Sequence, residues 1–335
     1  MKKITYFFRP QSQNVSIERV FNTVLANLPE EYNFKIVILP DYIPKAKGLI
    51  GIVKAFLKVR SFCRKNAGTL NHITGDIHYC ALFLPRKNTV LTIHDLISLK
   101  TLKGIKRLYI WLFWYYLPLK CTNNITCISQ FTANQLIELF PWVKGKITII
   151  PNPVGLEFIM KPQLFNKNCP TILHIGTRDN KNLERVIESL NGVNCHLRII
   201  GNLSEIQLSL LKTNNIRYTN DIFVTDRQIV KEYEDCDIVS FPSTYEGFGM
   251  PIIEGQMTER IVLTSDISPM KDICGEGAYL VDPYDVISIR NGFKIIIADA
   301  DCRKCILDNS RKNIQKYLPS VISNVYCQLY SQIKL

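Results

Sequence analysis

The sequence predicts an α/β protein of two successive domains, each a parallel sheet with helices on both faces. Three observations predict it. Short apolar, β-rich runs alternate along the chain with longer amphipathic stretches, the pattern of repeated strand–helix units. At 335 residues, 47% of them hydrophobic, the chain exceeds what a single core usually supports. A proline-marked break, Pro151-Asn152-Pro153 with an irregular stretch to Pro170, separates two runs of the alternation and reads as a linker. The expected domains are residues 1–153 and 154–317, followed by a helix at about 318–335.

In the first half, strands are expected at 4–8, 34–39, 71–73, 90–93, 125–128 and 147–150. The segment after the first strand, from Arg9 to Glu18, lacks the G-x-G-x-x-G of a dinucleotide-binding unit, which counts against a dehydrogenase. The segment from His72 through Asp76 to His78 sits at the end of the third strand, and His94-Asp95 at the end of the fourth. Ligands of open α/β sheets bind beyond such carboxyl ends, although a strand-end histidine can equally be a hydrogen-bonded structural residue. Lys100, Lys103, Lys106 and Arg107 precede a stretch from Leu108 to Pro118 that is aromatic and aliphatic all round a helix. Such a helix is either buried or rests on a membrane interface with Trp111 and Trp114 as anchors. The apolar run is too short to span a bilayer.

In the second half, strands are expected at 171–175, 197–200, 216–219 and 238–241, with a helix at 227–234. The first of these strands runs into Gly176-Thr177-Arg178-Asp179-Asn180-Lys181, a glycine turn and helix start that set two cations beside backbone N–H groups, the equipment for a diphosphate. The strand at 238–241 is closed by Pro242, and Glu246-Gly247-Phe248-Gly249 then forms a loop. Pro251 suits the first helical position, so a helix is expected there with its positive end toward the loop. Glu246 and Glu254 flank that spot with seven residues between them. Asp235-Cys236-Asp237 spells D-x-D, but it ends a helix and enters a buried strand, and Asp299-Ala300-Asp301 is a helix end, so no metal ligand is expected at either. The tail reads as helices broken at Pro319.

Composition narrows the function classes. The net charge of +12 is uneven: residues 1–160 hold 21 Lys and Arg against 8 Asp and Glu, +13, while residues 161–335 hold 20 against 21, −1. A basic half suits nucleic acid or an anionic membrane surface, or has no partner at all. No RNA or DNA motif appears, and nucleic acid is set aside. Eleven cysteines at irregular spacing argue for reduced thiols in a cytosolic protein, and Cys302-Arg303-Lys304-Cys305 is a lone pair read as structural rather than zinc-binding. The first residues have too short an apolar core for a signal peptide.

The stretch with Ser243, Glu246, Gly247, Gly249, Pro251 and Glu254 resembles the E-x7-E signature of retaining glycosyltransferases of family 4, which have the GT-B fold: two Rossmann-like domains with a cleft between them, the last helix crossing back to the first domain. The resemblance implies an acceptor side at 1–153 and a nucleotide-sugar side at 154–317. It makes Glu246, Lys181 and His94 the catalytic candidates. Donor-binding candidates are Gly176 and Arg178 in the segment that holds the phosphates, Val224 and Thr225 near the base, and Gly247, Phe248, Gly249, Met250 and Glu254. There are departures: no glycine-rich loop follows the first strand, Arg178 and Lys181 are not adjacent, Glu259 stands where glycine is usual, and Lys271-Asp272 where glutamate is.

The expected activity is metal-independent transfer of a hexosyl unit from a UDP- or GDP-linked sugar, with no cofactor, to a lipid-linked saccharide in bacterial surface polysaccharide synthesis. The expected location is cytoplasmic, peripheral on the inner face of the membrane. A GT-B sugar-nucleotide epimerase is the competing enzyme and would need acid and base groups in the cleft. A non-catalytic GT-B partner in a polysaccharide assembly complex is the competing binding protein, and it would have no need of Glu246, Lys181, Glu254 and His94 together.

Overall fold

A computed structural model describes residues 3–10, 16–43, 45 and 48–333, the side chain of Leu49 excepted. Residues 11–15 of the segment after the first strand lie outside the described residues. The chain divides into two compact units, Met1–Pro153 with Pro319–Leu335, and Val154–Leu318. Each contains a six-stranded sheet whose neighbouring strands are all parallel. These are two Rossmann-like domains of an α/β protein.

The strands of the first unit are β1 (Lys3–Phe8), β2 (Asn33–Ile38), β3 (Leu70–Ile73), β4 (Thr89–Ile93), β5 (Asn124–Cys127) and β6 (Ile147–Ile149). Its helices are α1 (Ser16–Ala26), α2 (Gly48–Asn66), α3 (Ile97–Thr101), α4 (Gly104–Ile110), α5 (Leu117–Lys120) and α6 (Gln130–Leu139). Sheet order is β2-β1-β3-β4-β5-β6, so the chain leaves β1 outward to β2 and returns on the other side of β1 at β3. The loops after β1 and β3 therefore diverge and leave room at the carboxyl ends.

In the second unit, β7 (Thr171–Ile175), β8 (His196–Ile200), β9 (Tyr218–Asp221), β10 (Ile238–Phe241), β11 (Ile261–Ser265) and β12 (Tyr279–Val281) are ordered β12-β11-β10-β7-β8-β9. The corresponding reversal lies between β7 and β10. Its helices are α7 (Leu183–Ser189), α8 (Glu205–Thr213), α9 (Asp226–Asp235), α10 (Met250–Met257), α11 (Met270–Cys274), α12 (Val286–Ala298) and α13 (Ala300–Ile314), and α14 (Pro319–Gln332) follows in the first unit. Strand β9 begins two residues later than expected, because Ile216 still completes the end of α8, its N–H bonded to Leu211 O at 3.0 Å. Glu259, where the resemblance implies glycine, stands just past α10 at φ +58°, the left-handed backbone that glycine adopts most easily. Its carboxylate is paired with Arg311 at 2.6 Å.

The aromatic stretch is a single helical path with a wide π turn at Trp111–Tyr116 set between α4 and α5. Its tryptophans are not exposed anchors. Trp111 stacks on Tyr116 and Phe140 at 4.8 and 6.0 Å, and Trp114 meets Tyr79 edge-on at 4.6 Å while its Nε1 donates to Asp76 O at 2.5 Å. Both rings are half-buried and pack against the core of the first unit.

The terminal helix α14 is fastened to the first unit through buried polar groups. Tyr330 Oη is hydrogen-bonded to Tyr6 Oη at 2.8 Å and to His72 Nδ1 at 2.6 Å, and His72 Nε2 to Thr92 Oγ1 at 2.8 Å. Burial lowers the His72 pKa to about 3 and that of His78 to about 4, from an ordinary 6.5. The unfolded chain binds these protons below about pH 6.5 and the folded chain does not. Stability is therefore full above that value and is lost as pH falls toward the folded-state pKa, by about 1.4 kcal/mol per pH unit for each histidine. His72→Gln is expected to flatten that decline by roughly one such slope in urea unfolding. A decline as steep as in the parent chain would show that His72 is not a buried neutral link.

Candidate active site

In the second unit, the loops after β7 and β10 are stitched together at the point where the sheet order reverses. Gly176 has φ +93°, and a Cβ there would lie 2.9 Å from Lys181 Cγ, so glycine lets the lysine chain fold back over the turn. Lys181 Nζ donates to Glu246 Oε1 at 2.7 Å and lies 4.8 Å from the centre of the Phe241 ring. Asn180 Nδ2 donates to the same Glu246 oxygen at 3.2 Å and to Tyr245 O at 3.0 Å, while Thr244 N–H donates to Asn180 O at 2.9 Å. Asn182, in left-handed conformation, bonds Pro242 O at 2.9 Å and Pro283 O at 2.7 Å. The two candidate catalytic groups of this unit are thus an ion pair, held by Asn180. The sequence reading did not single out Asn180, whose only local signal was its place beside Lys181.

Past that loop, Gly249 caps α10 at φ +125°, where a Cβ would lie 2.9 Å from Ile252 Cδ1. Met250 is the first helical residue and Pro251 the second, one position from expectation. Glu254 lies in the second turn, buried, with Oε2 accepting from Tyr233 Oη at 2.6 Å. Tyr233 is fixed in turn: its ring stands edge-on to Phe158 at 5.3 Å and its carbonyl accepts from the buried Arg260 at 2.7 Å. Nothing in the sequence pointed from Tyr233 to Glu254, 21 residues on.

The other donor-side candidates divide. Arg178 is exposed and, among the described residues, has no ion-pair partner. Val224 is half-buried, and Thr225 uses its hydroxyl to cap α9 in a capping box with Gln228. Gly247 lies in the loop, but the Phe248 ring points inward against Tyr317 at 5.8 Å, leaving only its backbone for a ligand. Asp237 accepts from the N–H groups of Asn166 and Thr171 at 2.9 and 2.8 Å, a structural use of its carboxylate. Among the described residues, no group of three or more His, Cys, Asp and Glu could hold a metal ion.

In the first unit, the loops after β1, β3 and β4 converge on His94. Gly75 has φ +140°, and a Cβ would lie 2.6 Å from His94 Cδ2. His94 Nε2 is 2.7 Å from Thr74 O. A carbonyl only accepts, so Nε2 carries the proton, and burial lowers the His94 pKa and keeps the ring neutral. Nδ1 is then a lone-pair acceptor. Arg9 donates to Glu18 at 2.8 Å and pairs with Asp76, whose φ is +55°. This Arg9–Glu18–Asp76 cluster spans 67 residues of sequence and was not foreseen as a unit. Of the other histidines, His72 is the core link described above, and His78 is buried with Nδ1 donating to Trp114 O at 2.9 Å.

Two successive Rossmann-like units, each built on a six-stranded parallel sheet, are the architecture of the GT-B class. Residues 156–317 match the family model for glycosyl transferases group 1, and residues 23–158 match that for glycosyltransferase family 4. Together they make the chain a member of the GT-B glycosyltransferases. The capsular polysaccharide biosynthesis glycosyltransferase CapM of Staphylococcus aureus is 25% identical over 301 residues, covering 82% of this chain and 78% of CapM. The O-antigen chain mannosyltransferase B of Escherichia coli is 32% identical over 190 residues, 49% of each chain. The structure of Anabaena HepE in complex with UDP and glucose superposes with a TM-score of 0.78 at 14% identity, covering 99% of this chain and 100% of that one, and shows the shared GT-B fold.

Proposed function

We propose that this protein transfers a hexosyl unit from a UDP- or GDP-linked sugar to a saccharide acceptor, retaining anomeric configuration and without a metal ion. The observation that carries the reading is the Lys181–Glu246 pair held by Asn180 where α10 begins, with Glu254 one turn further on. Lys181 and the positive end of α10 would neutralise charge developing on the leaving diphosphate. With Glu246 on the sugar and Glu254 on the ribose hydroxyls, the two carboxylates serve recognition. The leaving phosphate would itself take the acceptor's proton in a front-face transfer. His94, neutral with Nδ1 as acceptor, suits a hydrogen bond from a sugar hydroxyl. The names of the capsular and O-antigen relatives support surface polysaccharide synthesis, and the basic first unit supports a lipid-linked acceptor at the inner face of a bacterial membrane. Among the described residues, no helix is long and apolar enough to cross a membrane.

The first experiment is a thermal-shift screen with UDP, GDP, ADP and CMP, because a ligand that binds the folded state stabilises it by RT ln(1 + [L]/Kd). UDP or GDP is expected to raise the midpoint, and a protein indifferent to all four would not be a nucleotide-sugar enzyme. With the nucleotide known, Glu254→Gln is expected to weaken binding by roughly 1.5–3 kcal/mol, the scale of a charged hydrogen bond. Tyr233→Phe keeps the ring on Phe158 but removes the hydroxyl's hydrogen bond to Glu254, so it should narrow the preference for the ribonucleotide over its 2′-deoxy form. If the variant keeps the parent's preference while Glu254→Gln loses it, the tyrosine hydroxyl does not orient Glu254.

A further inference from the structure

Helix α2 lies in a part of the chain where sequence reading placed no function, yet it carries a distinct line of side chains. Ile50, Val53, Leu57, Arg60 and Arg64 recur at steps of three and four residues and so share one stripe of the helix. The three apolar members are 74%, 53% and 56% exposed. The arginines continue the stripe, the whole extending about 21 Å at 1.5 Å per residue. Among the described residues, neither arginine has an ion-pair or hydrogen-bond partner.

Val53, Leu57 and both arginines line a groove of about 860 Å³, whose opposite wall includes Phe83, Tyr109 and Phe113. The size lies within the range of ligand pockets. Its lining rings pack on one another, Phe56 lying 5.3 Å from Phe113 and 6.3 Å from Phe83. On the neighbouring α4, Ile105 and Leu108 are 86% and 61% exposed. An apolar trough with two unpaired guanidinium groups at one end matches an amphiphile with a hydrocarbon chain and a phosphate head. The chain would leave water along the trough, and a guanidinium meets phosphate oxygens two at a time. An apolar protein helix laid in the same trough would leave both guanidiniums unmatched.

We propose that this groove takes a hydrocarbon chain of an anionic membrane phospholipid, with the lipid phosphate on Arg60 and Arg64. The proposal rests on the reading of a membrane-borne acceptor, and it assigns docking to α2 rather than to Trp111, Trp114 and the lysines before them. The test is flotation of the whole chain at low salt with phosphatidylcholine vesicles, with and without phosphatidylglycerol. Binding is expected to need phosphatidylglycerol, and Arg60→Gln with Arg64→Gln should cut partition by about tenfold or more. Leu57→Asp, at an exposed position, should cut it similarly. Lys212→Gln with Lys294→Gln removes the same charge from the second unit and is expected to have little effect; an equal loss there would reduce the effect to net charge and overturn the proposal. Decyl phosphate should change tryptophan fluorescence at concentrations where inorganic phosphate does not, since Tyr109 on the groove wall lies 5.7 Å from Trp114. Equal responses to the two would mean that the chain does not enter the groove. Nucleotide binding is measured separately: its absence with vesicle binding intact sinks the transferase reading alone, and the converse sinks only the groove.

Discussion

Lys181→Ala is expected to lower kcat/KM by at least about a hundredfold, the scale of removing one preorganised donor from a site of developing charge. Before donor binds, the ammonium is paired with Glu246 at 2.7 Å and lies over the Phe241 ring. A diphosphate entering between β7 and α10 would draw it away, and the attraction would strengthen as the sugar–phosphate bond breaks. The loss should therefore appear mainly in kcat, with a smaller loss of nucleotide affinity. Because Glu246 retains Asn180 as a donor at 3.2 Å, the loop should hold its shape in the variant. Steady-state kinetics together with nucleotide titration would check this, and a variant within a few-fold of the parent chain would leave Lys181 as a structural partner of Glu246 only.

Glu246→Ala should depress kcat by roughly a hundredfold as well, while affinity for the free nucleoside diphosphate stays nearly intact. The carboxylate is carried by the loop before α10 rather than by the helix, so on the proposed reading it would reach the sugar and not the nucleotide. Its removal frees Lys181 for phosphate, which opposes any loss of nucleotide affinity. Equal losses in kcat and in nucleotide affinity would make Glu246 merely a clasp between the two loops. The double variant discriminates further. If the pair acts as one unit, Lys181→Ala with Glu246→Ala is no worse than the poorer single variant, whereas independent roles multiply.

Much of the candidate site is written locally in the sequence. Glu246, Gly247, Gly249, Pro251 and Glu254 lie within nine residues, and the strand before them and the helix after them are written in the same short segment. Gly176 and Lys181 belong to a second such segment. What could not be read was the pairing of the two, since Lys181 and Glu246 are 65 residues apart and meet only because β7 and β10 are neighbours in the sheet. Phe248 was assigned to the donor by its position in the motif, and the structure turns its ring inward against Tyr317.

By itself the sequence determined the α/β class, the parallel strands and the loop before α10, because hydrophobic period and glycine–proline punctuation act over a few residues. Tertiary structure alone decided what each polar or aromatic side chain faces. It buried His72 between Tyr330 and Thr92, turned Trp111 and Trp114 into the first unit, and set Tyr233 on Glu254. It also set Arg60 and Arg64, without an ion-pair partner among the described residues, in the lining of an apolar groove. The physical reason is that a side chain's partner is fixed by which strands become neighbours and which helix face they cover, and those contacts join residues far apart in the chain.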